Sequence, residues 1–152
     1  MKKELKVSAI KNGTVIDHIN SGKALDVVRL LHLEEYNNAV TVAMNVHSSL
    51  YDAKDIIKIE NRELSEEEVN EIALISPEST INIIKNYEVA EKRKIELPNE
   101  IEGVISCTNP NCISRIEGIS KFIVVKKNPA VLRCYYCERL MEEDEILKRL
   151  RI

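Results

Sequence analysis

Four cysteines fall in two knuckles, Cys107-Thr108-Asn109-Pro110-Asn111-Cys112 and Cys134-Tyr135-Tyr136-Cys137, and the 152-residue chain has no others. A tight turn in each knuckle lets both sulfurs face the same way, and residues 113–133 are long enough for a hairpin that brings the knuckles together. Four thiolates suit Zn2+ in a closed tetrahedron with no position left for water. Cys107, Cys112, Cys134 and Cys137 are therefore expected to hold one structural zinc. Disulfides or an iron–sulfur centre are the alternatives. A disulfide framework needs an oxidising compartment, and Met1-Lys2-Lys3-Glu4-Leu5 lacks the long apolar core of a secretory signal.

A second constellation is polar. Asp17, His18, Lys54, Lys58, Asn82 and Lys92 fall on or beside strand-like segments. A strand lysine is ordinarily just solvated, and a lone strand histidine needs no function. Together, cations that can gather around an anion, with an Asp and an Asn able to read hydroxyl or amino groups, describe a nucleotide pocket. Catalysis has little to draw on. His18, His32 and His47 are scattered, no glycine-rich phosphate loop or nucleophile elbow occurs, and the cysteines are committed to metal. No catalytic residue is expected.

The elements that must position these groups follow from periodicity. Residues 4–10 alternate as a strand and Asn12-Gly13 turns the chain. Thr14 to Ile19 is β-branched, so residues 4–19 read as a hairpin or bent strand. Asn20 or Ser21 can cap a helix whose apolar stripe is Leu25, Val27, Val28 and Leu31. Val40, Val42, Met44 and Val46 alternate as a third strand. In a fourth, Lys54 to Glu60, Ile57 and Ile59 share one face and Lys54, Ile56 and Lys58 the other. Ser65 with Glu68 forms a capping box before Val69, Ile72 and Ala73, Pro77 ends that helix, and Thr80 to Ile84 is a further strand. Charged residues 88–100, with Pro98, read as a connector.

Strand, helix, strand, strand, helix, strand is the order of a ferredoxin-like sandwich. Past the first knuckle, Lys121 to Lys126 and Val131 to Arg133 flank a turn at Lys127-Asn128-Pro129, and the tail from Glu142 has acids first and bases last, as a terminal helix would. The fold class is α+β: an N-terminal ferredoxin-like antiparallel sheet with two helices, residues 1–97, and a small C-terminal antiparallel β zinc domain, residues 101–152. The metal supplies what so small a core lacks. A net charge of −3 counts against a zinc-ribbon nucleic-acid-binding protein, the alternative function. No apolar run reaches the roughly 18 residues of a membrane span, so a soluble, cytoplasmic chain that binds neither membrane nor nucleic acid is expected.

Gly13-Thr14-Val15-Ile16-Asp17-His18-Ile19, Lys54 to Asn61, Cys107 to Ile113 and Cys134 to Glu138, in that order, closely resemble the regulatory chains of aspartate carbamoyltransferase. The resemblance implies a non-catalytic allosteric subunit in pyrimidine biosynthesis. Its N-terminal domain would bind CTP and ATP and pair in a regulatory dimer, and its zinc domain would dock on the catalytic chain. Carried over by motif, Val7, Ala9, Ile10, Val15, Asp17 and His18 would surround base and ribose. Lys58, Asn82, Ile84, Tyr87, Val89 and Lys92 would complete the pocket, with Lys92 nearest the phosphates. Asn109, Asn111, Tyr136 and Glu138 are the residues expected at the catalytic-chain interface. Ser8, Asn20 and the charged tail depart from familiar members, in which a glutamate and a proline can replace the first two.

Overall fold

The computed structural model describes residues 9–47 and 52–150. Val7, Ser8 and most of the strand expected over residues 4–10 lie outside the described residues. The first sheet has five antiparallel strands in the order β2-β3-β1-β4-β5: β1 (Gly13–Asn20), β2 (Val40–His47), β3 (Ala53–Glu60), β4 (Thr80–Lys85) and β5 (Glu88–Lys94). Helices α1 (Ala24–Leu30) and α2 (Glu66–Ile75) cover one face. This is the ferredoxin-like order with an added edge strand. From Gly13 to Ile16 both edges of β1 are hydrogen-bonded, to β3 and to β4. Gly13 explains itself at this crowded start. Its φ is +140°, and a Cβ there would lie 2.1 Å from the Ile59 carbonyl oxygen and 2.9 Å from the Asn61 nitrogen.

The helix-side face carries Ile16, Ile57, Ile59 and Ile81, all buried, as the parity of β3 requires. In α2 the capping box forms as read. Ser65 Oγ accepts from the Glu68 amide at 3.1 Å and Glu68 Oε1 accepts from the Ser65 amide at 2.9 Å, with Val69, Ile72 and Ala73 buried. Helix α1 corrects two expectations. Leu25 is exposed, and the buried set is Ala24, Val27 and Leu31. Neither Asn20 nor Ser21 caps it. The cap is Asp55, fully buried across the sheet, whose Oδ2 accepts from the amides of Gly22 (2.9 Å) and Ala24 (3.1 Å) while Oδ1 accepts from Asn45 (2.9 Å). Asn45, at φ 58°, sits in a bulge of β2 between Ala43 and Val46, which breaks the alternation expected there.

Residues 88–94 are strand, not connector. Asn86 (φ 52°) and Tyr87 (φ 68°) make a two-residue turn with both φ positive, and this returns the chain along β4. All seven residues of β5 are exposed, and its charges suit an edge. The second sheet runs β6-β7-β8-β9, with β6 (Glu100–Glu102), β7 (Lys121–Lys127), β8 (Ala130–Cys134) and β9 (Leu140–Met141), and is followed by α3 (Glu143–Arg149). Glu143 and Asp144 open α3 and Lys148 and Arg149 close it, in accord with the helix dipole. One buried cluster runs from Ile16 and Ile72 through Ile95, Leu97 and Ile101 to Phe122, Leu132 and Met141.

Asp55→Ala leaves three amides without their acceptor in a dry site and is expected to cost about 3 kcal/mol or more. Urea denaturation of the two proteins side by side measures it, and an unchanged midpoint would remove Asp55 from its structural role.

Candidate metal centre and nucleotide pocket

The cysteines converge as their spacing predicts. All four sulfurs lie within 4.8 Å of one another, with Cys107 to Cys137 and Cys112 to Cys134 each at 3.6 Å. A tetrahedron of thiolates at 2.3 Å from one ion has edges of about 3.8 Å, whereas a disulfide needs about 2.05 Å. The cluster therefore fits a single four-coordinate metal ion and not two disulfides; the four cysteines are free. The knuckle backbones turn inward to support it. The Asn109 amide donates to Cys107 Sγ at 3.4 Å, and Ser114 Oγ lies 3.0 Å from Cys112 Sγ. Burial pushes the Cys107 thiol up to about 12. At Cys137 burial acts in the same direction but is outweighed by the Arg139 amide, the Asn109 side chain and neighbouring thiols, which hold it at about 7. Ionising all four at such burial needs a positive charge at their centre, and a divalent ion provides it.

Around the cluster, Asn111, Tyr136 and Glu138 are exposed, the last at φ 63°. Asn109 is different. Its carbonyl accepts from the Cys112 amide at 3.1 Å and its Oδ1 from the Asn111 amide at 3.0 Å, so it shapes the knuckle from within. Sequence reasoning missed the exposed apolar residues that follow the first knuckle: Ile113, Ile116 and Ile119. Their spacing of three was visible but fell in no periodic element.

The register of the first sheet gathers the polar constellation on the face away from α1 and α2. Val15 pairs with Lys58 on one side and Asn82 on the other, and Asn82 pairs with Lys92, so Lys58, Val15, Asn82 and Lys92 form one row across four strands. At about 4.8 Å per strand, the two lysines bracket a row of about 14 Å. Gly13, Ile84 and Val89 form the row on one side, and Asp17, Thr80 and Lys94 the row on the other. Asn82 and Ile84 are buried, Val15 and Asp17 half-buried, and Val89 and Lys92 exposed. Burial lowers the Lys58 pKa, and the nearby Asp17 carboxylate partly offsets that.

His18 protrudes at a bulge of β1 with φ 57°, its amide donating to Asp17 Oδ1 at 2.7 Å. Tyr87 sits at the tip of the β4–β5 turn, beyond the Ile84 row, with its amide on the Lys11 carbonyl at 2.9 Å. Ile10 is buried and Ala9 exposed. Arg93 turns to the helix side and binds Glu66 through two N–H···O bonds of 2.5 and 3.0 Å. Lys94 and Thr80 lie on the open face. Only recognition of β5 as a strand would have shown this.

Two family models match in tandem: the aspartate carbamoyltransferase regulatory chain allosteric domain over residues 5–96, and the metal binding domain of the same chain over residues 99–147. The chain belongs to the aspartate carbamoyltransferase regulatory chain family. It is 57% identical over 150 residues to the regulatory chain of Pyrococcus horikoshii, covering 97% of this chain and 99% of that one. The regulatory chains of Methanothermobacter thermautotrophicus (53%; 96% of each chain) and Methanococcus aeolicus (52%; 97% of this chain and 96% of that one) are similar along their lengths. The family is that of the regulatory chain and not the catalytic one. No helix among the described residues is long and apolar enough to cross a membrane.

Elemental analysis of the purified chain is expected to give one tightly held divalent metal per chain. Cys112→Ser should lose it and unfold the sheet β6 to β9, because a thiolate metal site of this type contributes about 10–16 kcal/mol of apparent binding free energy. Retention of metal by Cys112→Ser, or an intact sheet without it, would contradict the assignment.

Proposed function

We propose that this chain is the nucleotide-sensing, non-catalytic subunit of an aspartate carbamoyltransferase, acting in the cytoplasm in pyrimidine biosynthesis. Residues 1–97 form the allosteric domain and residues 101–152 the domain that docks on the catalytic chain. The observation that carries the reading is the row of Lys58, Val15, Asn82 and Lys92 on one open sheet face, flanked by Asp17 and Lys94. CTP and ATP share a triphosphate and a ribose and differ in the base. Lys92, at the exposed end of the row, with Lys94 one residue pair away, takes the phosphates. Asn82, buried and able both to donate and to accept, reads the base, while Lys58 and Asp17 engage ribose and base at the other end.

Val7, Ala9, Ile10, Val15, His18, Ile84, Tyr87 and Val89 form the walls. The ion held by Cys107, Cys112, Cys134 and Cys137 is Zn2+, the borderline-soft, redox-inert choice for four thiolates. It stiffens the knuckles from which Asn111, Tyr136 and Glu138 project toward the catalytic chain. Asn109 serves that surface from beneath, and Ile113 and Ile116 extend it with the exposed apolar area that such interfaces use. Two chains pair through their first sheets. A nucleotide biases the assembly only by its different affinity for two quaternary states, for which about 1–3 kcal/mol of coupling is typical.

Calorimetric titration of both nucleotides, with kinetics of the holoenzyme, tests this. Lys92→Ala is expected to weaken CTP and ATP alike by about tenfold or more, and Asp17→Ala to change their ratio. Equal affinity in Lys92→Ala and parent would move the phosphates elsewhere. Lys58 adds a pH dependence. Burial lowers its pKa and a bound anion favours its charged form, so nucleotide affinity should fall as pH rises into the alkaline range, and Lys58→Arg, which stays charged, should flatten that decline. Replacing Asn111 and Glu138 together by Ala should weaken assembly with the catalytic chain while the metal is retained.

A further inference from the structure

We propose that the end of β1 and the residues after it, from Asn20 to Lys23, form a polar latch by which the nucleotide row reaches the metal-binding sheet; this rests on the nucleotide reading above. Two side-chain contacts cross the joint there. Asn20 Nδ2 donates to Asn128 Oδ1 at 3.0 Å, and Asn128 lies in the turn between β7 and β8. Lys23, which stands at the N-cap of α1, donates its ammonium to Glu143 Oε1 in the first turn of α3. Both contacts leave the same short stretch of chain and end on different parts of the metal-binding unit, so together they fix its orientation and not merely its distance.

Beneath the latch lies a buried polar network. The Asn20 amide donates to Ser76 Oγ at 2.9 Å and Ser79 Oγ to the Ser76 carbonyl at 2.8 Å. The Ile95 amide donates to the Ser79 carbonyl at 2.7 Å, and the Glu78 amide to the Ile95 carbonyl at 3.1 Å. Ser76 and Ser79 are fully buried, so these bonds cannot be exchanged for water cheaply. They tie the end of β1 to the last turn of α2 and to the start of the segment that leads into the second sheet.

A strand does not stretch, so the roughly 17 Å from Val15 to Asn20 behaves as a strut with one adjustable point. That point is the bulge at His18, where Asp17 Oδ1 holds the His18 amide at 2.7 Å. A ligand hydroxyl or amino group that takes up the Asp17 carboxylate competes with this bond, relaxes the bulge, and re-aims Asn20 and Lys23 three and six residues on. The strength is suitable. The side chains of Lys23 and Glu143 are 22% and 41% exposed, so their pair is partly screened and supplies a few-fold in an equilibrium constant. With the Asn20 to Asn128 bond, a coupling of about fivefold follows, at the low end of the allosteric range.

Amide hydrogen exchange of the full-length chain with and without CTP, in the parent, Asn20→Ala, Lys23→Met and the charge-exchanged Lys23→Glu/Glu143→Lys, tests the latch. Without nucleotide, exchange in residues 127–130 and 143–146 is expected to be about fivefold faster in the two single variants and to return to the parent rate in the exchanged pair, a rescue that a merely structural loss would not show. In the parent, CTP should slow exchange in β1 and β4 and also in those two segments; in the single variants it should slow only β1 and β4. Single variants that leave the two segments unchanged, an exchanged pair that fails to restore them, or CTP protection in the parent that stops at β1 and β4 would overturn the latch. CTP that protects nothing would refute the nucleotide site, and the nucleotide-free rates would then decide the latch by themselves.

Discussion

The fold depends on β1 having a hydrogen-bonded partner on each edge. With β3 on one side and β4 on the other, its residues are locked in register from Gly13 to Ile16, and the period of two then dictates everything lateral. Thr14 and Ile16 face the helices and build the core, whereas Val15 and Asp17 face the other way and can only serve a surface. Gly13 makes the crowded start possible. A one-residue slip would send Ile16 to solvent and Val15 into the core, dismantling core and pocket together. The same strand that anchors the hydrophobic interior therefore sets the position of every polar group in the row.

The two halves of the chain solve the problem of stability differently. The first sheet buries enough Ile, Val and Leu under α1 and α2 to hold itself, and it tolerates one buried carboxylate because Asp55 meets three amides. The second sheet is small, with Phe122, Leu132 and Met141 as its largest buried side chains, and the cysteine cluster cross-links the ends that so few apolar contacts cannot hold. The joint between them combines a continuous apolar core with the buried serine network. Such a joint is packed and hydrogen-bonded, and packed interfaces shift between discrete arrangements instead of yielding smoothly.

Much of this was legible in the sequence, for identifiable reasons. Cysteine spacing, the Ser65 to Glu68 capping box and the parity of β3 are local signals, and each took its expected form. What escaped is tertiary. Asp55 caps α1 from across the sheet, and no local pattern distinguishes it from a solvated acid. The residues of β5, Glu88-Val89-Ala90-Glu91-Lys92-Arg93-Lys94, have the composition of a linker; the turn at Asn86 and Tyr87 and the open edge of β4 make them a strand. Alternation along that strand sends Arg93 to Glu66 and leaves Lys92 and Lys94 on the open face. Leu25 satisfied a helical stripe but lies beyond the edge of the face that the sheet can cover.

The central claim is that the face opposite the helices, and not a cavity elsewhere, is where a nucleotide acts. A competing location exists. A cavity of about 660 Å3 between α2, α3 and the loops of the metal-binding unit is lined by Glu67, Glu71, Arg115, Lys148 and Arg149. Its lining mixes those three cations with two carboxylates, and burial and the neighbouring Glu67 and Glu68 raise the Glu71 pKa. A crystal structure of the chain grown with CTP separates the two directly. The account predicts density for the nucleotide over Val15 and Asn82 with its phosphates at Lys92. Density in the cavity beside Glu71, with the open sheet face empty, would contradict it.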